Sequence, residues 1–309
     1  MSWSTDDIPD LAGRRAVITG VTGGLGFHTA LELGRAGAAL TVTARNPSKA
    51  DDTVARLRAE LPDLDVEVLA LDLADLADAR RAGAELVRRH DQIDVLVNNA
   101  GIMIPPYSTT ADGFELQIGT NHIGHFAWTA ELWPVLRRSG ARIVSVSSVA
   151  HTTVRGIDLR TLAAEGPPRR YKRWRSYGES KLANLVFALE LDRRAKASGL
   201  ATVSVAAHPG LSSTNLQKTG VAMGNPLAGS AFHQVSRVVA QSAAHGAWPL
   251  LRAATDPTFE GGEYIGPASL GGLRGRPRPA RYSRTARDEQ LGDALWEASE
   301  QAVGATFDV

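Results

Sequence analysis

Cysteine is absent from the 309 residues, which excludes disulfides, thiolate metal sites and a cysteine nucleophile, and suits a reducing cytoplasm. No run of about 18 apolar residues occurs, so no segment reads as a membrane-spanning helix. The opening stretch from Met1 to Asp10 lacks the basic and apolar regions of a secretion signal. A soluble, cytoplasmic protein without a membrane partner is expected. Charge of one sign is also missing. The 34 basic residues face 33 acidic ones for a formal +1, so no global field recruits nucleic acid or an anionic surface. The eight histidines show no H-E-x-x-H or comparable ligand spacing, and no metal is expected. His122, His125 and His208 read as packing and hydrogen-bonding residues.

What is present is a rhythm. Short apolar runs alternate with amphipathic stretches: Ala16–Ile18 then 24–36, Leu40–Val42 then 48–60, Val66–Leu71 then 75–90, Val95–Val97 then 112–138. Ile143–Val146, a helix over 176–198 and Thr202–Ala206 continue the series. Strands with little polar alternation, separated by such helices, predict a parallel sheet covered on both faces. Right-handed crossovers make it doubly wound, an α/β, Rossmann-like fold. With 43 % hydrophobic residues the chain can bury one large core. One domain over 1–309 is expected, with its core over about 11–215 and a substrate-side lid with closing elements over about 216–309. In that later part Leu216, Val221, Met223, Leu227, Phe232, Val235, Val238 and Val239, spaced by Gly220, Gly224 and Gly229, suit a cover over an apolar ligand. Ordinary helix packing explains Val235 to Val239 equally well.

The first strand runs into Thr19-Gly20-Val21-Thr22-Gly23-Gly24-Leu25-Gly26. Glycine there lets the backbone turn tightly, approach a pyrophosphate and present helix N–H groups to it. A structural turn would use glycine too. At the end of the second strand, where an acidic residue would take a ribose hydroxyl, the sequence has Thr43-Ala44-Arg45. Arg45 offers a planar fork suited to a 2′-phosphate, so NADP(H) is expected over NAD(H). Asp72, between Leu71 and Leu73, could accept from an adenine amino group or cap the following helix.

Tyr177 and Lys181 are four residues apart, hence on one helix face. An ammonium about 4 Å from a phenol is worth roughly 4 kcal/mol at an effective dielectric of 20, or about 3 units off its pKa near 10. Alone, such a pair is ordinary surface chemistry. It gains meaning from the residues in order around it: the turn 19–26, Asn98-Asn99-Ala100-Gly101, Asn121, Ser147-Ser148 and His208-Pro209-Gly210. All but Asn121 fall at strand ends, where a doubly wound sheet builds its site.

With this set over residues 11–215 the chain resembles the short-chain dehydrogenase/reductase family. The resemblance implies that Asn121, Ser148, Tyr177 and Lys181 match the family's catalytic four. Tyr177 would exchange the proton with the substrate oxygen and Ser148 would hydrogen-bond that oxygen, Ser147 being the lesser candidate. Lys181 would hold the nicotinamide ribose and lower the tyrosine pKa, and Asn121 would hold a water in a proton relay. Asn98 would brace the fourth strand. Gly20, Thr22, Gly24, Leu25, Gly26, Arg45, Asp72, Leu73, Asn99, Ala100, Gly101, Tyr177, Lys181, Pro209, Gly210 and Thr214 would line the coenzyme, Thr214 at its carboxamide. The implied reaction moves a hydride between NADP(H) and a carbonyl or secondary alcohol. Family members often pair through the helices that would hold Asn121 and Tyr177, so a homo-oligomer is conceivable.

Ser148 and Tyr177 are further apart here than is common in the family. The intervening segment, with Ser180-Lys181-Leu182-Ala183-Asn184, is similar to retinol-dehydrogenase-like and protochlorophyllide-reductase-like members, which suggests an apolar or bulky carbonyl substrate. The light-driven reductases use a cysteine, which this chain lacks. The cluster Arg169, Arg170, Tyr171, Lys172, Arg173, Trp174 and Arg175 suits a solvated loop, or a substrate bound to an acidic carrier protein. Arg274, Arg276, Arg278, Arg281 and Arg284, among Gly and Pro, predict an irregular basic surface. A nucleotide-sensing binder, or a non-redox epimerase or dehydratase, would fit the same fold. A pure binder has no need of the serine and tyrosine.

Overall fold

The structure is a computed structural model that describes residues 3–163, 171–212 and 241–309. Strands β1 (Arg15–Thr19), β2 (Ala39–Ala44), β3 (Val66–Ala70), β4 (Val95–Asn98), β5 (Arg142–Val146) and β6 (Val203–Ala207) fall where the apolar runs predict them. Two further strands, β7 (Tyr264–Ser269) and β8 (Arg274–Pro279), complete one eight-stranded sheet in the order β3-β2-β1-β4-β5-β6-β7-β8. Pairing is parallel up to β7, and β8 closes the edge antiparallel.

Alternate residues of each strand feed two cores, because side chains two apart share a face. Ala16, Ile18, Leu40, Val42, Val95, Val97, Val144 and Val205 pack beneath helix α1 (Gly24–Arg35) and helix α7 (Ala243–Thr255). Val17, Leu96, Ile143 and Ala206 pack beneath α3 (Leu76–Arg89), α5 (Gly124–Ser139), α6 (Arg173–Ala197) and α8 (Glu289–Val303). Helix α2 (Pro47–Glu60) follows β2. An aromatic knot joins the last helix to this layer: Trp296 lies 5.2 Å from Phe126 and 4.9 Å from Phe307.

The unbroken helix expected over 112–138 is divided. A single turn, α4 (Leu116–Ile118), runs into a π-helical segment Gly119–Ile123 before α5 begins. Close packing fixes the break: a Cβ at Gly119 would meet Thr110 Cγ2 at 2.4 Å, and one at Gly124 would meet the Leu73 carbonyl at 2.1 Å. π-bulges gather at functional sites, and this one carries Asn121.

Beyond residue 215 the expectation needs correcting. The apolar lid residues Leu216 to Val239 lie outside the described residues, but Ala243–Thr255 is a core helix, with Ala247, Leu250, Leu251 and Ala253 buried. The stretch 274–279 is no irregular loop. It is an edge strand whose Pro277 and Pro279, with exposed Arg274, Arg276 and Arg278, deter further strand pairing. The sheet core therefore runs well past 215.

Candidate active site

The carboxyl ends of β1 to β6 open into one cleft of about 710 Å³. Its floor is the glycine turn. Gly20 has φ +73°, and a Cβ there would stand 2.8 Å from Ala100 Cα. A Cβ at Gly26 would stand 2.3 Å from the Gly20 carbonyl, so only glycine lets α1 start this close to the strand end. Asn99 ties the turn to β4, its amide donating to the carbonyls of Thr19 (2.8 Å) and Gly20 (3.1 Å). The Thr19 hydroxyl accepts the backbone N–H groups of Asn99 (3.0 Å) and Ala100 (2.9 Å). Asn98 points the other way and donates to Thr129 Oγ1 on α5 at 2.9 Å, which braces β4.

One end of the cleft carries Arg45, three-quarters exposed, with Asn46 and Lys49 beside it. Arg45 Nη1 stands 3.9 Å from Asp72 Oδ2. Asp72 does not cap helix α3, a role that falls to Asp75, whose carboxylate accepts from Ala77 and Asp78. Asp72 Oδ1 instead holds the Ala74 N–H at 2.9 Å, and the residue faces the cleft with Leu71 and Leu73. The cradle that a Cβ would fill and the volume of the cleft together fit a dinucleotide.

At the other end lie Ser148, Tyr177 and Lys181. Helix α6 brings Tyr177 and Lys181 against the end of β5, where Ser148 lines the same end of the cleft. Burial pushes the Tyr177 phenol up to about 12, against the opposing pull of the Ser148 hydroxyl. Lys181 donates to the Val146 carbonyl at 3.0 Å, and burial pushes its ammonium down to about 8. Burial thus moves the Tyr177 phenol in the direction opposite to the lowering expected from its lysine. Lys181 Nζ is 5.9 Å from the centre of the Tyr177 ring. Of the two serines, Ser147 is committed elsewhere, its hydroxyl donating to the Lys181 carbonyl at 2.7 Å. Ser148 is the one left beside Tyr177.

Asn121 does not line the cleft. Fully buried, it receives the Ile102 N–H at 2.8 Å and donates to the Ile102 carbonyl and to Ser180 Oγ, each at 3.0 Å. Ser180 in turn donates to the Tyr177 carbonyl at 2.9 Å. Asn121 therefore acts on the site by positioning two backbones. Gly101 permits the arrangement: a Cβ there would lie 3.0 Å from Asn121 Oδ1 and 3.4 Å from Lys181 Nζ. The structure brings together the expected Gly20, Thr22, Gly24, Leu25, Gly26, Arg45, Asp72, Leu73, Asn99, Ala100, Gly101, Ser148, Tyr177, Lys181, Pro209 and Gly210 along one cleft. Thr214, Arg169 and Arg170 lie outside the described residues.

Sequence reasoning missed several contributors. Lys49 sits in the first turn of α2 and could have been found beside Arg45. Met103 and Ile104 pack with Tyr177 as a separate apolar cluster, and Ile104 holds φ +49°, unusual for a β-branched residue. Gln117 explains that backbone: it accepts the Ile104 N–H at 2.7 Å and donates to Tyr171 (2.8 Å) and to the Arg173 carbonyl (3.0 Å) at the start of α6. Of the basic insert, Trp174 lines the cleft mouth and is half exposed, while Arg175 pairs with Glu179 at 2.6 Å. Among the described residues no His, Asp or Glu cluster could hold a metal ion, and no helix is long and apolar enough to cross a membrane.

Comparison with known proteins agrees with this geometry. The short chain dehydrogenase family model matches residues 14–157. Polyprenol dehydrogenase of Mus musculus is 35 % identical over 308 residues, 96 % of this chain and 86 % of that protein. Retinol dehydrogenase 13 of Homo sapiens is 34 % identical over 298 residues, again covering 86 % of the relative. Alignments with two fungal relatives reach only 65 % and 56 % of their lengths. A solved structure of an uncharacterized protein from Mycobacterium paratuberculosis superposes over 100 % of both chains with a TM-score of 0.81 at 40 % identity. Fold, cleft and kinship agree, and the chain belongs to the short-chain dehydrogenase/reductase family, in its retinol-dehydrogenase-like subgroup.

Proposed function

We propose that this protein is an NADP(H)-dependent reductase of apolar or bulky ketones and aldehydes, running the reverse alcohol oxidation when product accumulates. The observation that carries the reading is the layout of one cleft, with Arg45 and Lys49 at one end and Ser148, Tyr177 and Lys181 at the other. No carboxylate ends β2, where one would be needed to hold a ribose diol, and two cations line that end instead. The bound coenzyme would supply the hydride; the chain must orient the carbonyl and manage one proton.

That proton belongs to Tyr177. With its phenol pushed up to about 12, it stays protonated at neutral pH and serves as the acid that reduction needs. Ser148 donates to the carbonyl oxygen, and Lys181 holds the ribose beside it. The wall formed by Met103, Val149, Ala150, Trp174 and Tyr177 along the cleft favours an apolar chain. The polyprenol and retinol in the relatives' names are in keeping with such a substrate. Steady-state rates with NADPH and NADH across aldehydes of increasing chain length test the reading. NADPH preference and a rate rising with chain length are expected. NADH preference, or turnover confined to short polar carbonyls, contradicts it.

A further inference from the structure

His125 lies in the first turn of α5, buried beneath the point where the coenzyme end and the catalytic end of the cleft meet. Both ring nitrogens are engaged: Nδ1 with the Asn121 carbonyl at 3.0 Å, Nε2 with Thr19 Oγ1 at 3.0 Å. A carbonyl oxygen can only accept, so Nδ1 carries the proton. Burial pushes the imidazole down to about 4, which keeps the ring neutral and leaves Nε2 as an acceptor. The Thr19 hydroxyl must then donate to it. With its one proton directed there, Thr19 keeps both lone pairs for the N–H groups of Asn99 and Ala100, and the hydroxyl is saturated. The competing acceptor, the Val97 carbonyl, is further away at 3.4 Å.

The bonds form a closed circuit. From Thr19 it runs to the backbone at 99–100, along the chain to Ile102, across to the Asn121 side chain, through the Asn121 carbonyl to His125, and back to Thr19. Asn121 extends it through Ser180 to the backbone of Tyr177. From this circuit we infer that His125, as the Nδ1–H tautomer, is a positioning residue that holds the coenzyme floor at Asn99–Ala100 and the Asn121 anchor of the catalytic helix in one register. The inference rests on reading the cleft as a coenzyme and catalytic site, and assigns to one side chain the coupling between its halves.

Two substitutions each keep half of the circuit. In His125→Gln the longer amide can still accept from Thr19 but is displaced from the Asn121 carbonyl. In His125→Asn the shorter amide can still donate to that carbonyl but falls short of Thr19. NADPH affinity, measured by fluorescence titration, should stay near wild type in His125→Gln while kcat drops roughly tenfold, the scale of one lost buried hydrogen bond. His125→Asn should show the opposite split, with roughly tenfold weaker NADPH binding and kcat retained at saturating coenzyme. Thr19→Val should weaken NADPH binding to the same degree and add nothing in His125→Asn. Parallel loss of both quantities in both variants would reduce His125 to a packing residue and overturn the inference. Nitrogen NMR of histidine-labelled wild-type protein gives an answer independent of turnover: Nε2 should resonate as unprotonated, and a proton found on Nε2 would overturn the inference even if no carbonyl substrate is ever found.

Discussion

Lys181 Nζ stands 5.9 Å from the centre of the Tyr177 ring, with the Val146 carbonyl rather than the phenol as its hydrogen-bond partner. Burial moves the two groups in opposite directions, the phenol up to about 12 and the ammonium down to about 8. In the proposed reduction, acid catalysis by Tyr177 would then be available throughout the neutral range, and the group that titrates first as pH rises would be the lysine.

The rate of carbonyl reduction should accordingly be flat below pH 7 and fall through about pH 8 as Lys181 loses its charge. In Lys181→Arg the residual activity should lack that limb, because a guanidinium stays charged. A limb that persists in the arginine variant would assign the titration to another group. Stability carries the same signature with a definite sign. Between about pH 8 and the ordinary lysine value the unfolded chain binds more protons at this site, so its contribution to stability rises with pH. For Tyr177 the native state binds more protons between the ordinary tyrosine value and about 12, so its contribution falls there.

Coenzyme choice should follow the cations at the end of β2. Replacing Arg45 and Lys49 together by alanine should raise the KM for NADPH at least tenfold, on the scale of a lost charge-assisted contact, and leave that for NADH little changed. An unaltered NADPH preference would remove both residues from the account.

The sequence carried the chemistry at strand ends better than it carried the shape around it. Six strands and the residues following them were readable because buried parallel strands are continuous apolar runs. β7 and β8 were not, since Arg274 to Pro279 contains no β-branched residue and forms an edge whose prolines need no partner. The π-segment at Asn121 was hidden because its cause is distant: Thr110 and the Leu73 carbonyl press on Gly119 and Gly124. For the same reason Asn121 and Lys181 matched a motif while their partners, Ile102, Ser180 and Val146, became visible only in the fold.

Gly26→Ala tests how tightly the turn is built. With the Gly20 carbonyl 2.3 Å from the added Cβ, the start of α1 must shift, and overpacking of this kind costs about 1–3 kcal/mol. Chemical denaturation without coenzyme should show that loss, and NADPH binding should weaken with it. A variant as stable and as tightly binding as wild type would contradict the packing described.

Acid should destabilise the protein through buried histidines. Burial pushes His122 and His208 down to about 3 and His125 to about 4. Between the ordinary histidine value and those, the unfolded chain takes up protons that the native state refuses, so stability falls as pH drops through that window. Each histidine adds at most about 1.4 kcal/mol per pH unit. His122→Gln, which keeps a polar partner for Ser299, should flatten the dependence of the urea midpoint on pH; an unchanged slope would contradict the assignment.

The central claim is hydride transfer from NADPH with Tyr177 as proton donor, and the most direct measurement compares wild type with Tyr177→Phe on a long-chain aldehyde. Loss of the near-ultraviolet absorbance of reduced nicotinamide is followed beside a fluorescence titration of NADPH. Wild type should consume one coenzyme per alcohol formed, and the variant should bind NADPH as before while turning over about 10²- to 10⁴-fold more slowly. A phenylalanine variant as fast as wild type, or product formed without loss of coenzyme, would contradict the account.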